Sequence, residues 1–189
     1  MNTPRRHVAL VGPRCSGKST VGRALADLFG VPLVDLDSEL VRAANATAGG
    51  ETRFHAAGDV LTAWGEPTFR SLESQVLRDV LEERAPRVVA TGGGVVLGAR
   101  NRGLLARHAR SVWLRVDPVE LARRMRADPT PRPSLTGADP AVEIELVLAQ
   151  RAPLYAEVSD LVLECGERGA GALALEIQKW LLQRKERGE

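Results

Sequence analysis

The sequence predicts a single α/β domain, a five-stranded parallel sheet with helices on both faces. Three observations predict it. Five short apolar runs alternate with amphipathic stretches, the pattern of repeated strand–helix units. The first run leads into a glycine-rich loop and then a helix-like segment. The length of 189 residues and the 44% hydrophobic content suit one domain with a sizeable core.

Taken in order, the strands are expected over 8–11, 32–35, 88–91, 111–116 and 161–164. Helices follow over 18–29, 38–44, 99–107, 118–127 and 172–184, with two more over 68–84 and 140–149. In the first helix Val21, Leu25 and Leu28 recur near helical spacing. Pro118 fits the first helical position after an Asp117 cap. Pro153 is expected to end or kink the helix before it. Residues 45–58 mix small residues, paired glycines and charges and read as an exposed loop or weak helical turn. Residues 128–139 hold three prolines and a glycine, the kind of long loop that serves as a lid.

Bulk properties exclude several classes. A net charge of +2 without a long basic run gives no support to a nucleic-acid surface, despite a pI of 8.8. No apolar stretch reaches the length of a membrane span, and residues 1–6 carry no apolar leader segment. Cys15 and Cys165 make neither a disulfide framework nor a zinc site. A soluble cytoplasmic protein with reduced thiols is the expectation.

The loop after the first strand carries the clearest chemistry. Gly12, Pro13, Arg14, Cys15, Ser16, Gly17, Lys18 and Ser19, followed by Thr20, fit G-x-x-x-x-G-K-[ST] in the strand–loop–helix setting that the motif requires. The glycines let backbone N–H groups curl around phosphate oxygens, and the helix N-terminus adds partial positive charge. Lys18, one of three lysines among 26 basic residues, supplies a full charge to the β- and γ-phosphates. The Ser19 hydroxyl can ligate Mg²⁺. The segment is therefore read as a nucleoside-triphosphate site.

Other polar residues collect at the carboxyl ends of the strands, where such folds place ligands. Alternation along the second strand is expected to point Asp35 and Asp37 the same way. One can hold a water of the Mg²⁺ shell and the other can accept from a substrate hydroxyl; the plainer alternative is that they cap the next helix. Arg70 and Glu73, three apart, can pair on one helix face, either as a weak surface ion pair or to aim Arg70 at a substrate carboxylate. Gly92, Gly93 and Gly94 after the third strand suggest a backbone that approaches a ligand closely. Arg132 on the lid candidate can reach a transferred phosphoryl group on closure, while Arg151 sits at the end of the following helix.

Together GPRCSGKST, VDLD, GEPTFRSLE, ATGGGVV, RPSL and QRAPLY, in that order, resemble the shikimate kinase family over nearly the whole domain. The resemblance implies a P-loop kinase fold with a lid (about 128–139) and an acceptor-binding subregion (about 37–70). It implies transfer of the ATP γ-phosphoryl to the 3-hydroxyl of shikimate, with Mg²⁺, by a monomer. By motif matching, Lys18 and Ser19 resemble the phosphate lysine and the metal hydroxyl. Asp35 resembles the aspartate near the metal, and Asp37 the one that binds the hydroxyls and takes the proton. Arg70, Gly92, Gly93, Gly94 and Arg151 resemble the shikimate-binding set, Arg132 the lid arginine and Arg124 an adenine-stacking arginine. The sequence departs from the family in carrying extra residues between Asp37 and Arg70, in Leu61 where an aromatic is common, and in Ser134 within the lid motif.

Two alternatives remain at this level. A kinase of another small hydroxy acid such as gluconate would not call for Arg70, the triple glycine and Arg151 together. A ligand sensor without catalysis would not need Lys18, Asp37 and Arg132 intact.

Overall fold

The computed structural model describes residues 4, 6–49, 53–127 and 140–186, apart from the side chains at 140, 141, 143, 185 and 186. The expected lid, with Arg132, lies outside the described residues. Five parallel strands form one sheet: β1 (His7–Val11), β2 (Leu33–Asp35), β3 (Val88–Ala90), β4 (Ala109–Arg115) and β5 (Leu161–Glu164), in the order β2-β3-β1-β4-β5. The helices are α1 (Lys18–Phe29), α2 (Leu36–Thr47), α3 (Ala57–Leu81), α4 (Ala99–His108), α5 (Pro118–Ala127), α6 (Pro140–Val158) and α7 (Ala170–Glu186), with a 3₁₀ turn at Val95–Leu97.

β1 is wholly buried, and its alternating side chains divide the interior. Val8 and Leu10 face a cluster with Leu25, Leu121 and Ile177, from α1, α5 and α7. Ala9 and Val11 face a second cluster with Leu77, Leu105 and Tyr155, from α3, α4 and α6. Because β1 lies between β3 and β4, strand order reverses at its end. The loops after β1 and β3 therefore flank one crevice, the place where open α/β sheets bind ligands.

Most elements lie where the pattern puts them, including the Asp117 cap, whose carboxylate accepts from Val119 N at 2.9 Å. The second strand ends where expected, at Asp35. Of the two readings of Asp35 the helix cap holds: its carboxylate accepts from the backbone N–H of Asp37 and Ser38 at 3.1 and 3.3 Å and so starts α2. Two other expectations change. Asp37 sits in the first turn of that helix, not on a strand beside Asp35. Pro153 does not end α6, which runs on to Val158. Burial of Tyr155 and Val158 beyond the proline holds the final turns despite the missing N–H.

The stretch 45–58 is only partly a loop. α2 continues to Thr47, and the Asn45 side chain brackets Phe54, donating to its carbonyl at 3.0 Å and accepting from its N–H at 2.7 Å. That bracket seats Phe54 in a third cluster with Leu40, Ala44, Val60 and Phe69. Trp64 packs edge-on to Phe54, ring centroids 5.4 Å apart. α3 is broken at Gly65 (φ 76°, ψ 163°), and Pro67 lies in the first turn of the segment that follows. Among the described residues no helix is long and apolar enough to cross a membrane.

Candidate active site

The loop from Gly12 to Gly17 is shaped by close approaches. Gly12 has φ +143°, and a Cβ there would lie 2.8 Å from the Leu114 carbonyl oxygen. Gly17, at φ +92°, starts α1, so the helix N-terminus opens toward the loop. Cys15 also adopts a left-handed conformation, with φ 59°. Lys18 is buried and arches back over the loop, its Nζ donating to the carbonyls of Gly12 (3.0 Å) and Pro13 (2.6 Å) and to Ser16 Oγ (3.3 Å). Thr20 is exposed one residue into the helix from Ser19.

Ser19 Oγ donates to Asp35 Oδ2 at 2.6 Å, joining the loop after β1 to the end of β2. One hydroxyl and one carboxylate together at the crevice suit Mg²⁺, which prefers oxygen and takes few protein ligands. Among the described residues no group of three or more His, Cys, Asp or Glu could hold a metal by itself. Arg124 leans over the same loop from α5, its Nη1 3.5 Å from the Cys15 carbonyl oxygen and its Nη2 donating to the Gly166 carbonyl at 3.1 Å. Glu120 braces it through Nε at 2.7 Å, and hydrogen bonds from Arg123 and then Arg124 hold the Glu120 carboxyl down to about 2.

Beside the loop opens a pocket of about 370 Å³. Asp37, Arg70, Glu73, Gly92, Gly93, Gly94 and Arg151 line it, as do Arg14, His55, Val41, Leu61 and Phe69. Arg70 Nη1 donates to the buried Glu73 Oε2 at 2.9 Å, and its Nε donates to Glu66 Oε1 at 3.3 Å. Its guanidinium stands 5.1 Å from the centroid of the Phe69 ring. The expected i, i+3 pair thus forms as a half-buried clamp and not as a solvated surface contact. Leu61 and Phe69 supply apolar wall.

Each glycine of the triplet clears a different neighbour. A Cβ on Gly92 would lie 2.8 Å from Asp37 Oδ1, and one on Gly94 would lie 2.5 Å from Arg70 Nη1. A Cβ on Gly93 would lie 3.3 Å from the Arg14 backbone nitrogen. Bare backbone is what lets both side chains and the phosphate loop close on this turn. From α6, Arg151 Nη1 donates to the Gly93 carbonyl at 3.2 Å.

Burial pushes the Glu73 carboxyl above its ordinary value; Arg70 draws it back down, Asp37 adds to the rise and Arg151 opposes it. The folded state therefore holds the Glu73 proton more tightly than the unfolded chain does. Its contribution to stability is greatest below about 4.5, the ordinary glutamate value, and is lost as pH rises through the raised one. The Tm difference between wild type and Glu73→Gln should accordingly drift against wild type as pH rises from 4.5 toward neutrality. A difference independent of pH over that range would contradict this.

The structure brings together every expected site residue it describes. Sequence reasoning missed the pocket positions of Val41, His55 and Phe69, the side of Arg14 that faces the pocket, and Tyr155. Of these Arg14, Phe69 and Tyr155 carried a signal, their places in GPRCSGKST, GEPTFRSLE and QRAPLY; Val41 and His55 carried none.

A phosphate loop at the switch point of a parallel sheet, facing a pocket of clamped arginines and carboxylates, defines a P-loop phosphotransferase for a small acceptor. A family model for shikimate kinase matches residues 14–182. Shikimate kinase from Ruegeria pomeroyi is 37% identical over 179 residues, 95% of this chain and 86% of the relative. That from Parasynechococcus marenigrum is 41% identical over 169 residues, 89% and 82% respectively. Shikimate kinase from Acinetobacter baumannii, solved in complex with shikimate, matches with a TM-score of 0.83 and 32% identity, covering 97% of this chain and 96% of that one. A gluconokinase from Sinorhizobium meliloti shares the fold at a TM-score of 0.61 and 17% identity, covering 98% of this chain and 97% of that one. The chain belongs to the shikimate kinase family, and it is an ATP-dependent kinase.

Proposed function

We propose that this enzyme transfers the γ-phosphoryl of ATP to the 3-hydroxyl of shikimate. The observation that carries the reading is the pocket beside the phosphate loop. Two arginines, one clamped by Glu73 and one buried on α6, face the carboxylate of Asp37 across a turn of bare glycine backbone. A small acid that also carries hydroxyl groups satisfies both kinds of wall.

Arg70 and Arg151 hold the acceptor carboxylate, the planar guanidinium of Arg70 offering two parallel donors. Asp37 accepts from the attacking hydroxyl and takes its proton as the O–P bond forms. The backbone N–H groups of residues 12–20 and Lys18 hold the phosphates, and Arg124 lies against the adenine. Ser19 and Asp35 hold Mg²⁺, which neutralises charge on the β- and γ-phosphates when bound. Arg132, outside the described residues, is assigned to the transferred phosphoryl group, and the stretch of about 37–70 to acceptor binding. Phosphoryl transfer needs positioning and charge stabilisation more than covalent help, and these residues supply both. The protein works as a cytoplasmic monomer on two small molecules, without nucleic acid or membrane.

A coupled ADP-release assay with shikimate, quinate and gluconate tests the reading. Turnover with shikimate far above the other two is expected; gluconate as the preferred acceptor would overturn it, as would no turnover with shikimate. In the same assay Arg70→Lys should raise the acceptor KM by about tenfold and leave the ATP KM within twofold, because charge survives but the two-donor geometry does not. The reverse split would place Arg70 on the nucleotide.

A further inference from the structure

Gly93 is where the phosphate loop and the acceptor loop touch. Besides the 3.3 Å approach to Arg14 N, a Cβ on Gly93 would lie 3.6 Å from the Gly12 carbonyl oxygen. Its carbonyl takes two donors from one face of α6, at positions four apart: Arg151 Nη1 at 3.2 Å and the Tyr155 hydroxyl at 2.5 Å. The donors differ in freedom. Arg151 also lines the acceptor pocket and has an acceptor carboxylate to answer. Tyr155 is fully buried, does not line the acceptor pocket, and its hydroxyl also meets the Arg151 side chain.

We propose that Tyr155 is a positioning residue, whose hydroxyl pins the Gly93 carbonyl and thereby fixes the spacing between the phosphate loop and the acceptor loop. Its ring is tilted against Trp113 of β4, centroids 5.6 Å apart, and it packs in the cluster that contains Val95 and Val96 of the turn after the glycines. Ser159 Oγ donates to the Tyr155 backbone carbonyl at 2.6 Å, tying down the last turns of α6. The ring is thus held against the central sheet. Burial pushes the phenol up to about 12, so it remains a donor throughout the working range of pH. With the carbonyl pinned by tyrosine, Arg151 can turn toward the acceptor without releasing the loop. The inference rests on the kinase reading above.

Tyr155→Phe keeps the ring and removes the hydroxyl. Losing one hydrogen bond from an alignment made tightest in the transition state should lower kcat about five- to tenfold. The Kd values for ADP and for shikimate, by calorimetry, should stay within twofold. A kcat within twofold of wild type would overturn the proposal, and so would a loss confined to shikimate affinity. Tyr155 is the only tyrosine in the chain, so growth on 3-fluorotyrosine labels this position alone. The fluorine resonance of the labelled full-length enzyme should shift on adding ADP and again on adding shikimate, since the pinned carbonyl touches both loops. Indifference to either ligand would overturn the proposal even if Tyr155→Phe fails to fold. Failure of the kinase reading shows separately, as absence of shikimate turnover in unlabelled wild type.

Discussion

Asp37→Asn should reduce shikimate-dependent turnover by at least about 10²-fold while leaving ADP binding within threefold. The asparagine is isosteric, and the turn it occupies is started by Asp35, whose carboxylate accepts from the backbone N–H of residue 37. Helix α2 therefore begins as before, and the metal-side pair of Ser19 and Asp35 is untouched. What disappears is a carboxylate that stands against Gly92 and faces the pocket. A charge-assisted hydrogen bond is worth about 1.5–3 kcal/mol. Loss of a proton acceptor adds a rate factor of about 10² or more. Calorimetry with ADP beside steady-state kinetics measures both effects, and turnover within fivefold of wild type would remove Asp37 from the chemistry.

Lys18→Met should cost about 10²- to 10³-fold in kcat, the scale seen when one group aimed at developing charge is removed. It should also weaken ADP binding and lower the Tm of the ligand-free enzyme, a combination that Asp37→Asn does not share. The reason is the dual engagement of the ammonium group. It is buried against the loop and answers the carbonyls of Gly12 and Pro13. Methionine fills similar space but leaves both carbonyls without that donor, so the loop loses its staple as well as its charge. Thermal unfolding with and without ADP, together with kinetics, resolves the two losses. An unchanged Tm would mean that the staple contributes nothing, and a kcat within tenfold would mean that the charge contributes little.

The phosphate loop was legible in the sequence because its motif is local: the glycines, Lys18 and Ser19 lie within eight residues between a strand and a helix. The Arg70–Glu73 clamp was legible because i, i+3 spacing guarantees proximity on a helix, although its partial burial depends on what packs above it. The pairing of Asp35 with Asp37 by strand alternation was misjudged because a side chain decides where α2 starts: Asp35 gives its carboxylate to two backbone N–H groups, the capping alternative. An end of α6 at Pro153 does not occur because a helix held by the burial of Tyr155 and Val158 tolerates one missing backbone bond. The bracket of Asn45 around Phe54 and the bond from Tyr155 to Gly93 join residues 9 and 62 positions apart, where no periodicity can signal them.

The third apolar cluster has a consequence for inheritance. Leu40, Ala44, Phe54, Val60 and Phe69 pack on one another, apart from the two clusters that sandwich the sheet. The break at Gly65 interrupts the run of helix through that cluster just before Arg70. Substitutions there can accumulate without repacking the interior around β1. The apolar wall of the pocket, Leu61 and Phe69, is thus able to drift faster than its charged groups, Glu73 and Arg151, whose helices pack on the sheet.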